Sequence, residues 1–169
     1  MKRLMLLRHA KSSWEKPGQA DIDRPLNHRG ERAARLMGTY LQQQGREPEL
    51  ILCSTARRTR ETVAGLLEQF ATAPEIRFDE KLYLAAPHEI LELISDVPDS
   101  VRRLMVVGHN PGMHELALQL VAEDKTGALG ALREKFPTAA LAHFKLEIDH
   151  WPDIGPGRLV DLQAPKNLV

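Results

Sequence analysis

Met1-Lys2-Arg3-Leu4-Met5-Leu6-Leu7-Arg8-His9 opens the chain and decides how the rest is read. Leu4–Leu7 is an unbroken apolar run that stops abruptly at Arg8-His9. A short continuous run of this kind reads as a strand buried on both faces. The same pattern returns at Leu50–Cys53, followed by Ser54, and at Leu104–Val107, followed by Gly108-His109. Between these runs the apolar period lengthens to that of helices. Ala33, Ala34, Met37, Tyr40 and Leu41 follow Asn27, and Gly45 with Pro48 closes that stretch. Val63, Leu66, Leu67 and Phe70 form a second stripe, for which Ser54 is the expected N-cap. Pro87 starts a third helix through Ile90, Leu91 and Ile94, and Asn110-Pro111 opens a fourth through Met113, Leu116, Ala117 and Leu120.

Ile76–Phe78 is a further short strand. Leu141–Ile148 and Gly157–Leu162 read as two strands of a hairpin turned at Trp151–Pro156. Residues 124–138 admit either a loop, from Thr126, Gly127 and Gly130, or a turn of helix over Ala131–Phe136. Alternating strands and helices define an α/β chain. The expected architecture is a three-layer sandwich, with a mostly parallel central sheet of about six strands and helices on both faces.

Composition narrows the function classes. The 169 residues carry 23 Lys+Arg against 23 Asp+Glu, so there is no global basic field to attract nucleic acid. With 43% hydrophobic and 27% charged residues the chain can bury a core, unlike a disordered sequence. One cysteine excludes an intrachain disulfide framework and a multi-cysteine zinc site. No apolar stretch approaches the ~20 residues that span a bilayer, and the run after Lys2-Arg3 is too short for a secretory leader. The expectation is a single domain over 1–169, cytoplasmic, with no membrane or nucleic-acid partner. No heptad or long amphipathic seam gives an oligomeric state.

Ligands of open α/β sheets bind beyond the carboxyl ends of the strands. Those ends deliver Arg8 and His9, then Ser54 with Arg57, Arg58 and Arg60, then Gly108, His109 and Asn110. Each taken singly has an ordinary explanation: a solvated loop, the polar face of a helix, a hydrogen-bonded core histidine. Together they favour a site. Cations in the first turn of a helix oppose its dipole, so a cluster of arginines there calls for an anion. Guanidinium forks match the oxygens of a phosphoryl group. Rival motifs fail on spacing. Cys53 would need an arginine at position 59 to make a Cys-x-x-x-x-x-Arg phosphatase loop, and Thr59 stands there. His114-Glu115 lacks the second histidine of a zincin helix, and there is no P-loop or Gly-x-Ser-x-Gly elbow.

These residues resemble the histidine phosphatase superfamily, which includes phosphoglycerate mutases. Leu6-Leu7-Arg8-His9-Ala10 is similar to its Arg-His-Gly signature, with alanine for glycine. Ser54-Thr55-Ala56-Arg57-Arg58-Thr59-Arg60-Glu61-Thr62 resembles its Ser-Pro-x-x-Arg-Ala-x-Gln-Thr motif, which aligns Arg58, not Arg57, with the motif arginine. Gly108-His109-Asn110-Pro111 matches the late Gly-His motif, and Asp23-Arg24-Pro25-Leu26-Asn27-x-x-Gly30 the segment after the first. Compact spacing between the second and third motifs, with Lys11-Ser12-Ser13-Trp14 and Leu82-Tyr83-Leu84-Ala85, resembles the SixA-like phosphohistidine phosphatases.

The resemblance implies a phosphatase that works without a metal or other cofactor, through a covalent phosphohistidine on His9. Arg8, Arg58 and His109, the last as an imidazolium, would hold the phosphoryl oxygens. A neutral imidazole nucleophile needs its other ring nitrogen donated to a backbone carbonyl, which fixes the tautomer. Glu80, with Asp79 as fallback, falls about where the family places its general acid. Arg24, Lys11, Ser12 and Asn110 are candidate substrate-binding residues. The expected substrate is phosphate-bearing, a phosphohistidine protein foremost. Small phosphomonoesters, or phosphate binding without turnover, are the alternatives.

Overall fold

The computed structural model describes residues 1–169. Its strands are β1 (Lys2–Arg8), β2 (Leu50–Ser54), β3 (Glu75–Asp79), β4 (Arg103–Gly108), β5 (Val121–Asp124), β6 (Leu141–Leu146) and β7 (Gly157–Gln163). Its helices are α1 (His28–Gln43), α2 (Arg57–Leu67), α3 (Pro87–Ser95), α4 (Gly112–Leu120) and α5 (Leu129–Glu134). The strands form one sheet in the order β3-β2-β4-β1-β6-β7-β5. Only β6 runs against its neighbours.

Period two along β1 explains the layers. Met5 and Leu7 point to one face, where Met37 and Leu41 of α1 and Val63 and Leu66 of α2 cover them. Leu4 and Leu6 point to the other, against Ile90 and Ile94 of α3, Met113, Leu116 and Leu120 of α4, and Leu132 of α5. Leu4 through Leu7 are fully buried, as an unbroken apolar run requires. The three-layer α/β architecture expected from the sequence is the one observed.

Two expectations need correction. The sheet has seven strands, because Val121–Asp124 pairs with β7 at an edge. That strand exposes Ala122 and Glu123, so no apolar run marks it. Ser54 is not the cap of α2 but the last residue of β2. The N-cap is Ala56, whose N–H donates to Ser54 Oγ over 3.3 Å. Within 124–138 the helical alternative holds as the short α5. Both sheet edges carry ion pairs: Arg77 with Glu75 on β3 (3.0 Å), and Glu123 of β5 with Lys125 (2.7 Å) and Arg158 (3.0 Å).

Gly112 begins α4 pressed onto the chain before α3. A Cβ there would lie 1.9 Å from the Ala85 carbonyl oxygen, a backbone atom that no rotamer change can move. Gly130, inside α5, has nothing within 4 Å of the same position. We expect Gly112→Ala to destabilise by about 1–3 kcal/mol through overpacking. Gly130→Ala should stabilise by up to about 1 kcal/mol, through helix propensity. Paired chemical denaturation curves check both, and matching signs would contradict the packing described.

Candidate active site

Parallel pairing sets Arg8 of β1 opposite Gly108 of β4, so both strands end at one level. His9 and His109 follow at once, and their rings lie 5.4 Å apart between centroids. The His9 backbone is held on both sides: its N–H donates to Gly108 O (3.1 Å) and its carbonyl accepts from Ala139 N (2.9 Å). Ala139 takes a left-handed φ of 59° to make that turn, unusual for a residue with a Cβ. Ala10, by contrast, lies outside the left-handed region. Its N–H donates to Thr62 Oγ1 (3.0 Å) of α2, which ties the first strand end to the second motif.

His9 Nδ1 donates to the Ala10 carbonyl over 2.7 Å. That bond leaves the lone pair on Nε2, as a nucleophile requires. Arg58 reaches in from the first turn of α2, its Nη1 donating to Asp21 O (2.8 Å) and its Nη2 to Asp21 Oδ2 (3.0 Å) and His109 Nδ1 (3.3 Å). A guanidinium only donates, so His109 Nδ1 accepts. Its Nε2 then carries the hydrogen and donates to Ser54 Oγ (2.7 Å). Arg8 Nη1 and Asn110 Nδ2 both donate to the Phe136 carbonyl, over 3.2 and 2.8 Å. The Nε atoms of Arg8 and Arg58, and Asn110 Oδ1, are buried with no partner inside the protein. Two orphaned guanidinium donors are what an anion-binding pocket presents.

Asp21 lies at the centre of the rim. Besides Arg58 it accepts from Arg24 Nε (3.1 Å) and from the Tyr83 hydroxyl. Burial alone would raise its carboxyl, but the hydrogen bonds from Tyr83, Arg58 and Arg24 prevail and pull it down to about 2. Tyr83 stands edge-on to His109, with ring centroids 5.3 Å apart. Arg24 also donates to Ser12 Oγ (2.7 Å) and stacks on the Trp14 ring at 3.5 Å. Asp21 and Tyr83 were missed in the sequence; Asp21 sits only three residues before Arg24, in a loop whose path the pattern does not give.

Burial dominates the electrostatics. It pushes His9 down to about 4, with help from Arg8, Arg58 and Arg24 and against the Ala10 hydrogen bond. It pushes His109 down to about 3, with Arg58, His9 and Arg8 acting alike and Asp21 opposing. Burial thus favours a neutral His109 near pH 7, and the imidazolium expected of it calls for the added charge of a bound dianion.

The structure brings Arg8, His9, Arg58, His109, Asn110 and Arg24 to one sheet edge, with Ser12 behind Arg24. Arg57 points away, 46% exposed and paired with Glu61 at 3.0 Å. Lys11 lines a separate groove with Arg29 and Arg32. Glu80 follows β3, whose Asp79 pairs with Ser54, so it lies at the correct edge. Its side chain is exposed and makes no hydrogen bond or ion pair with the other candidate residues. Asp79 is spent on the Lys81 N–H (2.9 Å).

Residues 4–83 match the sequence model of the histidine phosphatase superfamily (branch 1). The uncharacterized protein Rv1276c of Mycobacterium tuberculosis is 42% identical over 164 residues, which are 95% of this chain and 100% of that protein. A candidate phosphohistidine phosphatase SixA from Agrobacterium tumefaciens superposes with a TM-score of 0.83 at 33% identity, covering 97% of this chain and 98% of that one. A protein histidine phosphatase SixA complexed with tungstate gives 0.76 at 23% identity over 99% of both chains, a likeness of fold. The motifs expected to meet do meet, on a fold shared over nearly its whole length with these proteins, and the chain belongs to the histidine phosphatase superfamily, in its SixA-like branch.

Proposed function

We propose that this protein removes the phosphoryl group from phosphohistidine in proteins, through a covalent intermediate on His9. The observation that carries the reading is the hydrogen bond that fixes the His9 tautomer and leaves Nε2 free, in a site where the buried Nε atoms of Arg8 and Arg58 have no partner. The Nε2 lone pair attacks phosphorus, the bond from phosphorus to the substrate imidazole breaks, and that imidazole leaves with a proton from solvent. Water then attacks phospho-His9. The P–Nε2 bond breaks, inorganic phosphate departs, and the water proton passes to solvent. Arg8 and Arg58 hold the equatorial oxygens while charge builds on them, and His109 joins them through Nδ1 when the charge of the bound dianion protonates it there. Arg24 and Asn110 complete the wall, and Ser12 fixes Arg24.

The protein substrate is supported by the open rim. Asp21 is 43% exposed at its side chain and Trp14 is 77% exposed, so the pocket mouth faces solvent rather than a covering segment. Phosphohistidine also suits the lack of a carboxylic acid in contact with the nucleophile, since imidazole leaves more readily than an alkoxide.

Labelled phosphohistidine protein, mixed with enzyme and quenched in alkali, should place label on His9 alone. His9→Ala should abolish both label and turnover. Arg58→Ala should lower kcat/KM about 10²–10³-fold, whereas Arg57→Ala should change it less than about threefold, as expected of an exposed pair. Label on another residue, or the reverse order of the two arginines, would overturn the assignment.

Glu80→Gln tests the acid. A general acid is worth about 10²–10⁴-fold for a poor leaving group, so hydrolysis of an alkyl phosphate should fall in that range and of phosphohistidine only slightly. Equal losses on both substrates would make Glu80 a positioning residue, and no loss would remove it from the site.

The depressed histidines also set an acid limit on stability. Their folded values, about 4 and about 3, lie below the unfolded 6.5, so the unfolded chain binds more protons in between. Stability should be full above pH 6.5 and decline as pH falls toward about 4, with a slope contribution of about two protons from His9 and His109. Denaturant titrations across this range should show that contribution lost in a His9→Gln/His109→Gln variant.

A further inference from the structure

We infer that a cationic groove beside the nucleophile docks an acidic segment of the phosphoprotein substrate, an inference that rests on the reading above. The groove, about 490 Å³, is lined by Lys11, Arg29, Arg32 and Lys166 over a floor that includes Leu36 and Pro165. None of the four cations makes a hydrogen bond or an ion pair. They are free to meet an outside anion, whereas Arg24, Arg35, Arg46, Arg57, Arg58 and Arg77 each already hold a carboxylate. The chain as a whole is neutral, so the groove is a local excess. Its charge is sorted along α1: Glu31 faces a different groove, with Arg35, Glu61 and Glu68. Arg29 and Arg32 sit in or next to the first turn of α1, where the helix dipole already favours an anion.

The groove is coupled to the phosphate pocket by shared backbone. Lys11 lies two residues beyond His9, and its carbonyl accepts from Asn27 N (3.0 Å) at the head of α1. Gly30 packs directly on that carbonyl. Thr138, on the opposite wall, precedes Ala139, which donates to the His9 carbonyl. A protein that places its phosphohistidine on His9 therefore lays neighbouring chain across these cations. Aliphatic residues line the floor and no aromatic ring is present on which a base could stack, so the chemistry fits Glu, Asp and aliphatic side chains rather than a nucleic acid.

The test uses Arg29→Glu/Arg32→Glu and, separately, Lys166→Glu. On a phosphohistidine protein with an acidic surface, the double variant should lower kcat/KM about tenfold at low salt, through KM, and the deficit should shrink as salt is raised. On phosphoimidazole, kcat/KM should match wild type. A fluorescein-labelled glutamate-rich peptide should bind wild type, bind the variants more weakly, and be undisturbed by inorganic phosphate. Equal losses on protein and phosphoimidazole, no loss on the protein, or tighter binding of a single-stranded oligonucleotide than of the peptide would each overturn the inference. A wild type that turns over neither substrate would defeat the phosphohistidine reading instead, and peptide binding would still report on the groove.

Discussion

Everything at the site depends on the parallel register that sets Arg8 opposite Gly108. A slip of one residue would turn Arg8 and His9 through half a turn and bury the wrong side chains against the helices. The register is held because Leu4 and Leu6 must face α3 and α4 while Met5 and Leu7 face α1 and α2. Packing on two faces thus fixes where the imidazoles stand. The bond from His9 N to Gly108 O carries the ladder one step past the strand end. Two motifs about a hundred residues apart become neighbours through ordinary sheet pairing.

Keeping such a pocket dry and cationic costs stability. Arg58 is 3% exposed, and a buried guanidinium is tolerated only when its donors are met. Asp21 meets two of them, from the single 3-10 turn Asp21–Asp23 within the long loop after β1. The carboxylate also anchors Arg24 and Tyr83, so one acidic residue orients three walls of an anion site. It sits on the outer edge of Arg58 and leaves Nε unpartnered. The same economy appears at Phe136, whose carbonyl holds both Arg8 and Asn110.

Strand ends were readable because both-face burial writes itself as an unbroken apolar run. Arg8, His9, His109 and Asn110 are therefore legible from position, while the choice of Arg58 over Arg57 and Arg60 needs the motif resemblance. β5 was not, since an exposed edge strand carries no such run. Asp21 and Tyr83 were not, since they reach the site through loop geometry and hydrogen bonds between residues 62 apart. Lys11 shows what sequence adjacency leaves open. Its position on the first long loop suggested a cation that steers an anionic substrate, and the fold places it in the groove with Arg29 and Arg32.

The ion pairs on the two outer strands have a consequence for recognition. Exposed strand edges invite β-augmentation, in which a partner chain adds itself to the sheet through backbone hydrogen bonds. Here Glu75 with Arg77, and Glu123 with Lys125 and Arg158, stand on those edges and oppose a flat, apolar approach. A macromolecular partner is left with the side chains at the carboxyl end of the strands. Recognition of a phosphate-bearing substrate then falls to charge and shape around its phosphoryl group, not to an extended main chain.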